Sequence, residues 1–225
     1  MIIPVYNERE NIGKVIDVLD SFNGQCEIIF VDGGSRDQTL EIIEARGYRG
    51  IRSVKKGRAH QMNEGAAIAR GEVLWFLHGD SIPPETALIE IQDVFAKGYQ
   101  VGCFKIRFDS KHFYMKVCGF QSDARVRLRN IAFGDQGIFI KRDLFEMLGG
   151  YAEIPLMEDY QLSMDIKKLG LKIGMTNGRI TTSERRFVAG GRLRTMWWMQ
   201  VLQHKFRRGD DIEEIATAYG AIKRK

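Results

Sequence analysis

The chain opens with Ile2-Ile3-Pro4-Val5-Tyr6-Asn7-Glu8, a short apolar run that stops at a polar turn. The same design recurs in Ile28-Ile29-Phe30-Val31-Asp32-Gly33-Gly34-Ser35 and in Val73-Leu74-Trp75-Phe76-Leu77-His78-Gly79-Asp80. Continuous apolar runs of this length are typical of parallel strands that are buried on both faces. Because open α/β sheets bind ligands beyond the carboxyl ends of their strands, these polar ends predict a nucleotide site at one sheet edge.

Strands alternate with amphipathic helices over residues 1–100. The patterns predict strands over about 1–5, 26–31, 50–54 and 73–77, and helices over about 9–21, 37–46, 59–69 and 84–97. Pro83-Pro84 is expected to open the last of these helices, because proline is favoured in a first turn. The alternation predicts a parallel, doubly wound α/β sheet flanked by helices, with the strand at 73–77 in its centre.

The pattern changes after residue 100. Strands are predicted over about 101–109 and 137–140 and helices over about 142–148 and 156–169, whereas residues 112–129 show no clean period. No linker or internal repeat interrupts the chain. We therefore expect one α/β domain over residues 1–184 and a C-terminal helical extension over residues 185–225.

The predicted extension begins with a basic and aromatic stretch. Residues 185–208 hold seven arginines or lysines and no acid, interleaved with Met196-Trp197-Trp198-Met199 and Phe206. Basic residues mixed with aromatic ones suit a membrane interface. The apolar positions form no narrow stripe, however, so partial burial against the domain explains this pattern equally well.

Composition bounds the class of protein. The 225 residues are 44% hydrophobic and 28% charged, which suits a globular domain with a sizeable core. The net charge of +5 suits an anionic ligand such as a nucleotide diphosphate, an acidic acceptor or an anionic membrane surface. It is too small and too scattered to indicate nucleic acid as a partner.

The cysteines and the apolar runs suggest a compartment. Cys26, Cys103 and Cys118 form no C-x-x-C pair, which predicts a reducing environment. The sequence shows neither a signal peptide nor an apolar run of the roughly 20 residues that a membrane span needs. We therefore expect a cytoplasmic protein whose membrane contact is peripheral, through residues 185–208.

The turn His78-Gly79-Asp80 is a candidate metal site. A carboxylate just beyond a central strand can bind Mg²⁺ or Mn²⁺ together with two phosphates of a ligand. Capping of the turn before Pro83 is the simpler role for Asp80. A lone histidine such as His78 is more often a structural residue or a hydrogen-bond donor.

Two other segments offer groups to a nucleotide. In Asp32-Gly33-Gly34-Ser35, the glycines allow close approach of the backbone to a ligand, and the carboxylate can accept hydrogen bonds from a base or a ribose. A tight strand-to-helix turn would use the same residues. Arg58 and Asn63 offer donors to a base or a phosphate, with a solvated arginine as the alternative.

Two later motifs suit the acceptor side of a reaction. Glu158 and Asp159 start a predicted helix, where the helix dipole alone favours carboxylates. One of them can instead be a general base that deprotonates an attacking hydroxyl. Gly134-Asp135-Gln136-Gly137 places polar side chains between glycines, which suits acceptor contact as well as an ordinary turn.

Taken together and in this order, the motifs resemble family 2 glycosyltransferases, which have the GT-A fold. The resemblance covers roughly residues 1–185 and rests on Pro4-Val5-Tyr6-Asn7-Glu8, Val31-Asp32-Gly33-Gly34-Ser35-Arg36-Asp37, Gly57-Arg58-Ala59 with Asn63, Phe76-Leu77-His78-Gly79-Asp80 and Glu158-Asp159. The fuller wording is similar to a subgroup called radical-SAM/selenodomain-associated transferases. It comprises Gly57-Arg58-Ala59-x-Gln61-Met62-Asn63, Phe76-Leu77-His78, Gly134-Asp135-Gln136-Gly137 and Pro155-Leu156-Met157-Glu158-Asp159. The GT-A fold implies a Rossmann-like, mostly parallel central sheet.

The resemblance also implies an activity, the transfer of a sugar from a nucleotide-sugar donor to an unidentified acceptor hydroxyl with inversion. It implies that Asp159 is the catalytic base with Glu158 beside it, and that Asp80 ligates a divalent cation. Asp135 and Gln136 are then expected on the acceptor side. The residues expected to bind the nucleotide sugar are Pro4, Tyr6, Asn7, Glu8, Asp32, Gly33, Arg58, Asn63, His78 and Gly79.

The chain departs from the family pattern in its acidic motifs. His78 replaces the usual first aspartate of Asp-x-Asp, and Gly33 stands where many members have a second acid. The later Gln-x-x-Arg-Trp motif is absent, which disfavours a processive polysaccharide synthase. Ser183-Glu184-Arg185-Arg186-Phe187 stands nearby as a source of a phosphate contact.

Two rival functions stay open at this point. A nucleotidyltransferase on a similar sheet would carry a glycine-rich loop with a basic residue after the first strand, where this chain has Tyr6-Asn7-Glu8. A non-catalytic nucleotide-binding or partner-binding protein would explain His78 in the metal motif. Hydrolysis of a nucleotide-sugar panel with and without Mn²⁺ separates the three functions.

Overall fold

A computed structural model describes residues 1–223, apart from the side chains of residues 186 and 221–223. Within that part of the chain the strands are β1 Ile2–Val5, β2 Ile29–Asp32, β3 Arg49–Arg52, β4 Val73–Trp75, β5 Ser81–Ile82, β6 Val101–Phe108, β7 Phe139–Lys141 and β8 Gly174–Thr182. The helices are α1 Arg9–Leu19, α2 Thr39–Ala45, α3 Arg58–Ile68, α4 Ala87–Ala96, α5 Phe113–Arg129, α6 Arg142–Met147, α7 Glu158–Lys168, α8 Arg185–Gly190, α9 Arg192–Arg208 and α10 Ile212–Lys223.

The strands form a sheet in two parts that meet at β1 and β4. The first part has the order β1-β2-β3 and is parallel, and the second has the order β4-β7-β6-β8-β5. A parallel bridge between Ile2 and Phe76 joins them, and the N–H of Leu77 donates to the carbonyl of Ile2 at 3.0 Å. The combined order is therefore β3-β2-β1-β4-β7-β6-β8-β5, and β4 is central, as its apolar sequence predicts.

The far side of the sheet is mixed. β7 pairs antiparallel with β4 and β6, and β5 pairs antiparallel with β8, whereas β6 and β8 are parallel. The predicted parallel arrangement thus holds for β1 to β4. Because β5 occupies Ser81–Ile82, Pro83 and Pro84 lie in the turn before α4 and not in the helix itself.

Both faces of the central strands are buried, which explains their continuous apolar sequences. Ile2 belongs to a core layer that includes Met62 of α3, on one side of the sheet. Its neighbour Ile3 belongs to the other layer, with Ile16 of α1 and Ile91 of α4. Ile2 and Ile3 are both fully buried, as expected for successive residues of a strand that point to opposite faces.

Two elements, β8 and α5, do not follow from local sequence patterns. β8 is rich in glycine, threonine and asparagine, and it exists because it pairs with β6 on one side and β5 on the other. α5 has apolar side chains on opposite faces, so its sequence shows no helical period of apolar residues. Met115 is buried against the sheet, whereas Phe113 and Phe120 are 72% and 73% exposed.

The stretch 185–208 forms α8 and α9, and its inner faces are buried. Phe187 packs with Phe108, and Leu202 lies in a cluster with Ile131 and with Ile215 of α10. Burial therefore accounts fully for Phe187 and Leu202 and leaves outward residues such as Leu193 and Trp197 unexplained. Over the described residues, no helix is both long enough and apolar enough to cross a bilayer.

Candidate active site

A cavity of about 900 Å³ lies beyond the carboxyl ends of β1, β2 and β4. Its wall includes α3 and the start of α7 on one side, and α5, α8 and α9 on the other. The predicted site residues that line it are Pro4, Tyr6, Glu8, Gly33, Arg58, His78, Gly79, Asp80, Asp135, Glu158 and Asp159. The predicted residues Asn7, Asp32, Asn63 and Gln136 are not part of the wall.

Asp32 and Asn7 shape the loops behind the wall. Asp32 is fully buried, and its carboxylate accepts hydrogen bonds from the N–H groups of Gly34 at 3.1 Å and Ser35 at 3.0 Å. The side-chain oxygen of Asn7 accepts the N–H of Arg36 at 2.9 Å, and the N–H of Asn7 donates to the Ser35 hydroxyl. The loops after β1 and β2 are thereby tied together, which holds Gly33 at the cavity.

Asn63 holds a loop instead of reaching the cavity. Its Nδ2 donates to the carbonyl of Tyr151, and its Oδ1 accepts the N–H of Tyr151, both at 2.9 Å. Both ends of the amide are thus engaged with one backbone unit of the segment that leads into α7. The sequence analysis predicted that Asn63 donates to a base or a phosphate, because no local sequence pattern indicates its contact with Tyr151.

Asn63→Leu should lower the free energy of unfolding by roughly 1–3 kcal/mol, because it leaves the N–H and C=O of Tyr151 without partners. Asn63→Asp is the matched variant, since it keeps the acceptor for the N–H and loses only the donor, and it should cost less. Urea unfolding checks both values. Equal stability of Asn63→Leu and the parent would show that the two hydrogen bonds between Asn63 and Tyr151 contribute nothing to the stability of the fold.

Both ends of the Gln136 amide are likewise hydrogen-bonded within the protein. Gln136 is fully buried, its Oε1 accepts from the guanidinium of Arg125 at 3.0 Å, and its Nε2 donates to the carbonyl of Phe104. Arg125 in turn lies 3.7 Å from the ring centre of Phe133 and lines the cavity. Burial lowers the pKa of Arg125, although Asp135 opposes the effect. Arg125 is therefore a half-buried cation at the cavity wall that the sequence analysis did not single out.

Gln61 is a second residue that the sequence analysis did not assign. Its Nε2 donates to the carbonyls of Val5 at 2.9 Å and Val31 at 2.7 Å, so it links the ends of β1 and β2 from α3. It also lines the cavity and contacts Gly33, where a Cβ would stand 3.1 Å from the Gln61 amide. Its only sequence signal was a position inside the Gly57–Asn63 motif.

The carboxylate of Asp159 is oriented by backbone groups. Its Oδ2 accepts the N–H of Gly134 and its Oδ1 the N–H of Tyr160, both at 2.7 Å. Met157, which precedes the pair of acids, has a left-handed backbone with φ of 66° and lets α7 begin abruptly at the cavity. Because a carboxylate has about four acceptor positions, Asp159 retains lone pairs for further donors.

Glu158 is paired with Arg58 on the same side of the cavity. The guanidinium of Arg58 lies 3.4 Å from Oε1 of Glu158, which is almost completely buried. Burial acts to lower the pKa of Arg58, but the neighbouring carboxylates, Glu158 foremost, raise it above its ordinary value. Arg58 therefore stays a cation at a wall where an anionic ligand would gain a charged partner.

His78 packs against the loop that orients Asp159. A side chain at Gly134 would overlap Nε2 of His78 and stand 3.5 Å from Oδ2 of Asp159. Glycine therefore fits position 134, because any larger residue would force the His78 ring or this loop to move. His78, from the turn that contains Asp80, thus lies against the loop whose N–H group binds the predicted base, Asp159.

Asp80 shares a cation with Glu8. The Nη2 atom of Arg185 lies 3.2 Å from Oδ2 of Asp80 and also pairs with Oε1 of Glu8. The hydrogen bond with Glu8 is the main cause that raises the pKa of Arg185, and the charges of Glu8 and then Asp80 add to it, despite partial burial. Two carboxylates from the ends of β1 and β4 therefore converge on one position at the cavity wall.

This donor set suits a cation that takes few protein ligands. Among the residues that the structure describes, no group of three or more histidine, cysteine, aspartate or glutamate side chains could hold a metal by itself. Mg²⁺ and similar ions are commonly held by one or two carboxylates together with substrate phosphates. Asp80 and Glu8 supply that number, with Arg185 between them.

Comparison with solved structures identifies the fold as GT-A. The mannosyltransferase PcManGT from Pyrobaculum calidifontis, solved with GDP-Man and Mn²⁺, matches over 90% of this chain and 60% of its own, with a TM-score of 0.67 and 20% identity. Glucosyl-3-phosphoglycerate synthase from Mycobacterium tuberculosis, solved with Mn²⁺ and UDP-glucose, matches over 93% of this chain and 78% of its own, with a TM-score of 0.63 and 18% identity. At these identities the likeness concerns the fold.

The chain belongs to glycosyl transferase family 2, whose sequence profile matches residues 1–149. A curated relative, glycosyltransferase AglE of Haloferax volcanii, is 27% identical over 167 residues, which are 67% of this chain and 55% of the relative. The chain thus spans little more than half of that relative. The family expected from the ordered motifs is confirmed.

Proposed function

We propose that this protein is a nucleotide-sugar-dependent glycosyltransferase of the inverting kind. The observation that carries the proposal is the shared cavity, where Asp80 and Asp159 stand at the ends of different elements and line one space. Asp80 belongs with the donor diphosphate, beside Arg58 and Glu8, and Asp159 belongs with the acceptor. The fuller motif wording further suggests the radical-SAM/selenodomain-associated subgroup.

Asp159 acts as the base in the proposed reaction. It takes the proton of the acceptor hydroxyl while the hydroxyl oxygen attacks the anomeric carbon and the bond to the diphosphate breaks on the opposite side. The hydrogen bond from Gly134 to Oδ2 keeps the carboxylate in one orientation for this transfer. Arg58 supplies positive charge near the diphosphate, with Pro4 and Gly33 against the nucleoside.

We assign the divalent cation, Mg²⁺ or Mn²⁺, to Asp80 with Glu8 as its neighbour. Such an ion, when bound, neutralises charge on the leaving diphosphate. Arg185 holds the same two carboxylates and competes with the ion for them. Release of Arg185 would also free a guanidinium for a phosphate oxygen.

Arg185→Gln should tighten the binding of Mn²⁺ alone by about fivefold, because the variant removes a competing cation. The value corresponds to the roughly 1 kcal/mol exchanged by unit charges 4 Å apart in water, since the Arg185 side chain is 47% exposed. Electron paramagnetic resonance of free Mn²⁺ measures it, with Arg70→Gln as the control for a lost surface charge. Weaker Mn²⁺ binding in Arg185→Gln would mean that Arg185 positions the carboxylates.

A donor panel tests the function itself. Hydrolysis and transfer should be measured with UDP-, GDP- and dTDP-sugars, with and without Mn²⁺, because the base and sugar are not assigned. Turnover of one donor supports the proposal. Release of pyrophosphate from a nucleoside triphosphate and a sugar phosphate would favour a nucleotidyltransferase, and binding without turnover would favour a non-catalytic protein.

We also propose peripheral membrane contact through residues 185–208, on a protein that works in the cytoplasm. The acid-free sequence supports this contact, as do the outward side chains Leu193 and Trp197, which are 58% and 61% exposed. The free thiols Cys26, Cys103 and Cys118 suit a reducing compartment.

A further inference from the structure

The cavity has an apolar wall that a nucleotide sugar does not need. This wall lies on the side of α5, α8 and α9 and consists of Phe108, Cys118, Phe187, Ala189, Met196 and Met199. The same helices also bring polar side chains to the cavity beside it, among them Gln121, Gln200 and Gln203. The polar groups assigned to the donor, Arg58 and Asp80, come instead from α3 and the turn after β4. A small polar acceptor would leave the apolar wall in contact with water, whereas an acceptor with a hydrocarbon part would bury it.

The helices that form this wall meet directly. Met115 and Cys118 of α5 lie in one cluster with Phe187 of α8 and Met196 of α9. Cys118, Phe187 and Met196 from that cluster also line the cavity. The apolar wall is therefore the place where α5 approaches α8 and α9.

The outer face of α5 is apolar as well. Phe113, Phe120 and Leu128 recur at intervals of about two turns, opposite the buried Met115 and Val126, and are 72%, 73% and 84% exposed. Isolated exposed apolar residues are ordinary, but an aligned set on one helix face marks an interaction surface. Leu193 and Trp197 present a similar pair, one turn apart, on α9.

The charges around this face are positive. Lys111, Lys116, Arg127 and Arg129 accompany the exposed apolar residues of α5. The one acid between residues 110 and 134 is Asp123, and it is buried and paired with Arg179 at 2.9 Å. Apolar side chains flanked by free basic groups complement an anionic bilayer, where the former enter the interface and the latter meet headgroups.

We propose that the acceptor is an amphiphile drawn from an anionic bilayer, with its polar head at Asp159 and its hydrocarbon part against the wall of Phe187, Met196 and Met199. The outer faces of α5 and α9 rest on the bilayer and bring the cavity to the membrane surface. This inference rests on the proposed glycosyltransferase function and adds the class of its acceptor.

The cavity part of the proposal is tested with alkyl β-glucosides below their micelle-forming concentrations. In calorimetry, the affinity should rise with each methylene added from hexyl to decyl glucoside. Full burial of a methylene would raise it roughly fourfold, which is the upper limit per step. Methyl glucoside should not bind. The double variant Met196→Gln/Met199→Gln keeps side-chain length and should lose most of this gain. Met147→Gln, at a methionine that is 73% exposed on α6, should keep it.

Nucleotide binding separates this inference from the proposed function. With Mn²⁺, the parent and the double methionine variant should bind the nucleoside diphosphate of the active donor equally well. Nucleotide binding without any dependence on chain length would overturn the amphiphilic acceptor and leave the glycosyltransferase standing. A parent that binds no nucleotide would instead overturn the proposed function.

The membrane part is tested by co-sedimentation with vesicles of phosphatidylcholine, with and without phosphatidylglycerol. Binding should require the anionic lipid and weaken with salt, because the Debye length falls to roughly 3 Å at 1 M. Phe113→Glu/Phe120→Glu should lower binding at least tenfold more than Val54→Glu/Ile89→Glu, which changes the charge equally at exposed apolar residues elsewhere. Equal losses of vesicle binding in the two double variants would overturn the proposed docking face. Binding to phosphatidylcholine vesicles that is no weaker without phosphatidylglycerol would overturn it as well.

Discussion

Asp159→Asn should lower the rate of sugar transfer by roughly 10²–10⁴-fold, the usual contribution of a general base. The substitution keeps the size of the side chain and removes the group that takes the proton. Donor affinity should change little, because the base acts on the acceptor. Initial rates of transfer and calorimetry with the nucleoside diphosphate measure the two quantities separately.

The surroundings of Asp159 determine the controls for this variant. An asparagine can accept the N–H of Gly134 or that of Tyr160 but not both, because only one of its side-chain atoms is an oxygen. A thermal melt must therefore show that the variant folds. Glu158→Gln should be milder, since Glu158 faces Arg58. Near-normal transfer in a folded Asp159→Asn variant would transfer the role of base to another acid, with Asp135 first.

Asp80→Ala should abolish metal-dependent binding of a nucleoside diphosphate. One carboxylate is lost from the pair, and the Glu8 that remains is still paired with Arg185. The lost contact to a diphosphate-bridging ion should remove several kcal/mol of transition-state stabilisation, which is a loss of at least 10²-fold in transfer. Calorimetry with the nucleoside diphosphate and Mn²⁺ measures the binding part.

Two further variants show what Asp80 does. Asp143→Ala removes an exposed acid from α6 and should leave binding unchanged. Arg185→Gln should keep metal-dependent binding, because both carboxylates remain. If Arg185→Gln lost that binding as fully as Asp80→Ala, the role of Asp80 would be to hold Arg185 in place. Unchanged affinity in Asp80→Ala would contradict the assignment of Asp80 to the metal.

Much of the candidate site could be predicted because its chemistry stands at strand ends. Short apolar runs in the sequence predict buried strands. In the parallel part of the sheet, the carboxyl ends of β1, β2 and β4 meet at one edge. Pro4, Gly33 and Asp80 therefore reach one cavity, as their positions along the chain predict. The same reasoning could not place the Asp32 side chain, because it cannot tell whether a strand-end carboxylate turns outward or caps its own turn.

Other features needed contacts between distant segments. Arg185 lies 177 residues from Glu8 and 105 from Asp80, and Asn63 lies 88 residues from Tyr151. No local period records such pairs, since they depend on how helices pack after the sheet has formed. α5 shows the same limit, because its exposed Phe113 and Phe120 hide the helical period that its buried face obeys.

Local sequence patterns were enough to predict the family, the parallel start of the sheet and the residue types at its edge, since these depend on short-range periodicity and on motifs within single turns. Only the folded chain shows which polar groups form hydrogen bonds within the protein and which remain available to a ligand. Folding turned Asp32, Asn63 and Gln136 to backbone or buried partners and brought Arg185 to Asp80. It also joined α5 to α9 around an apolar wall, because buried hydrogen-bonding groups and apolar surfaces must find partners wherever packing places them.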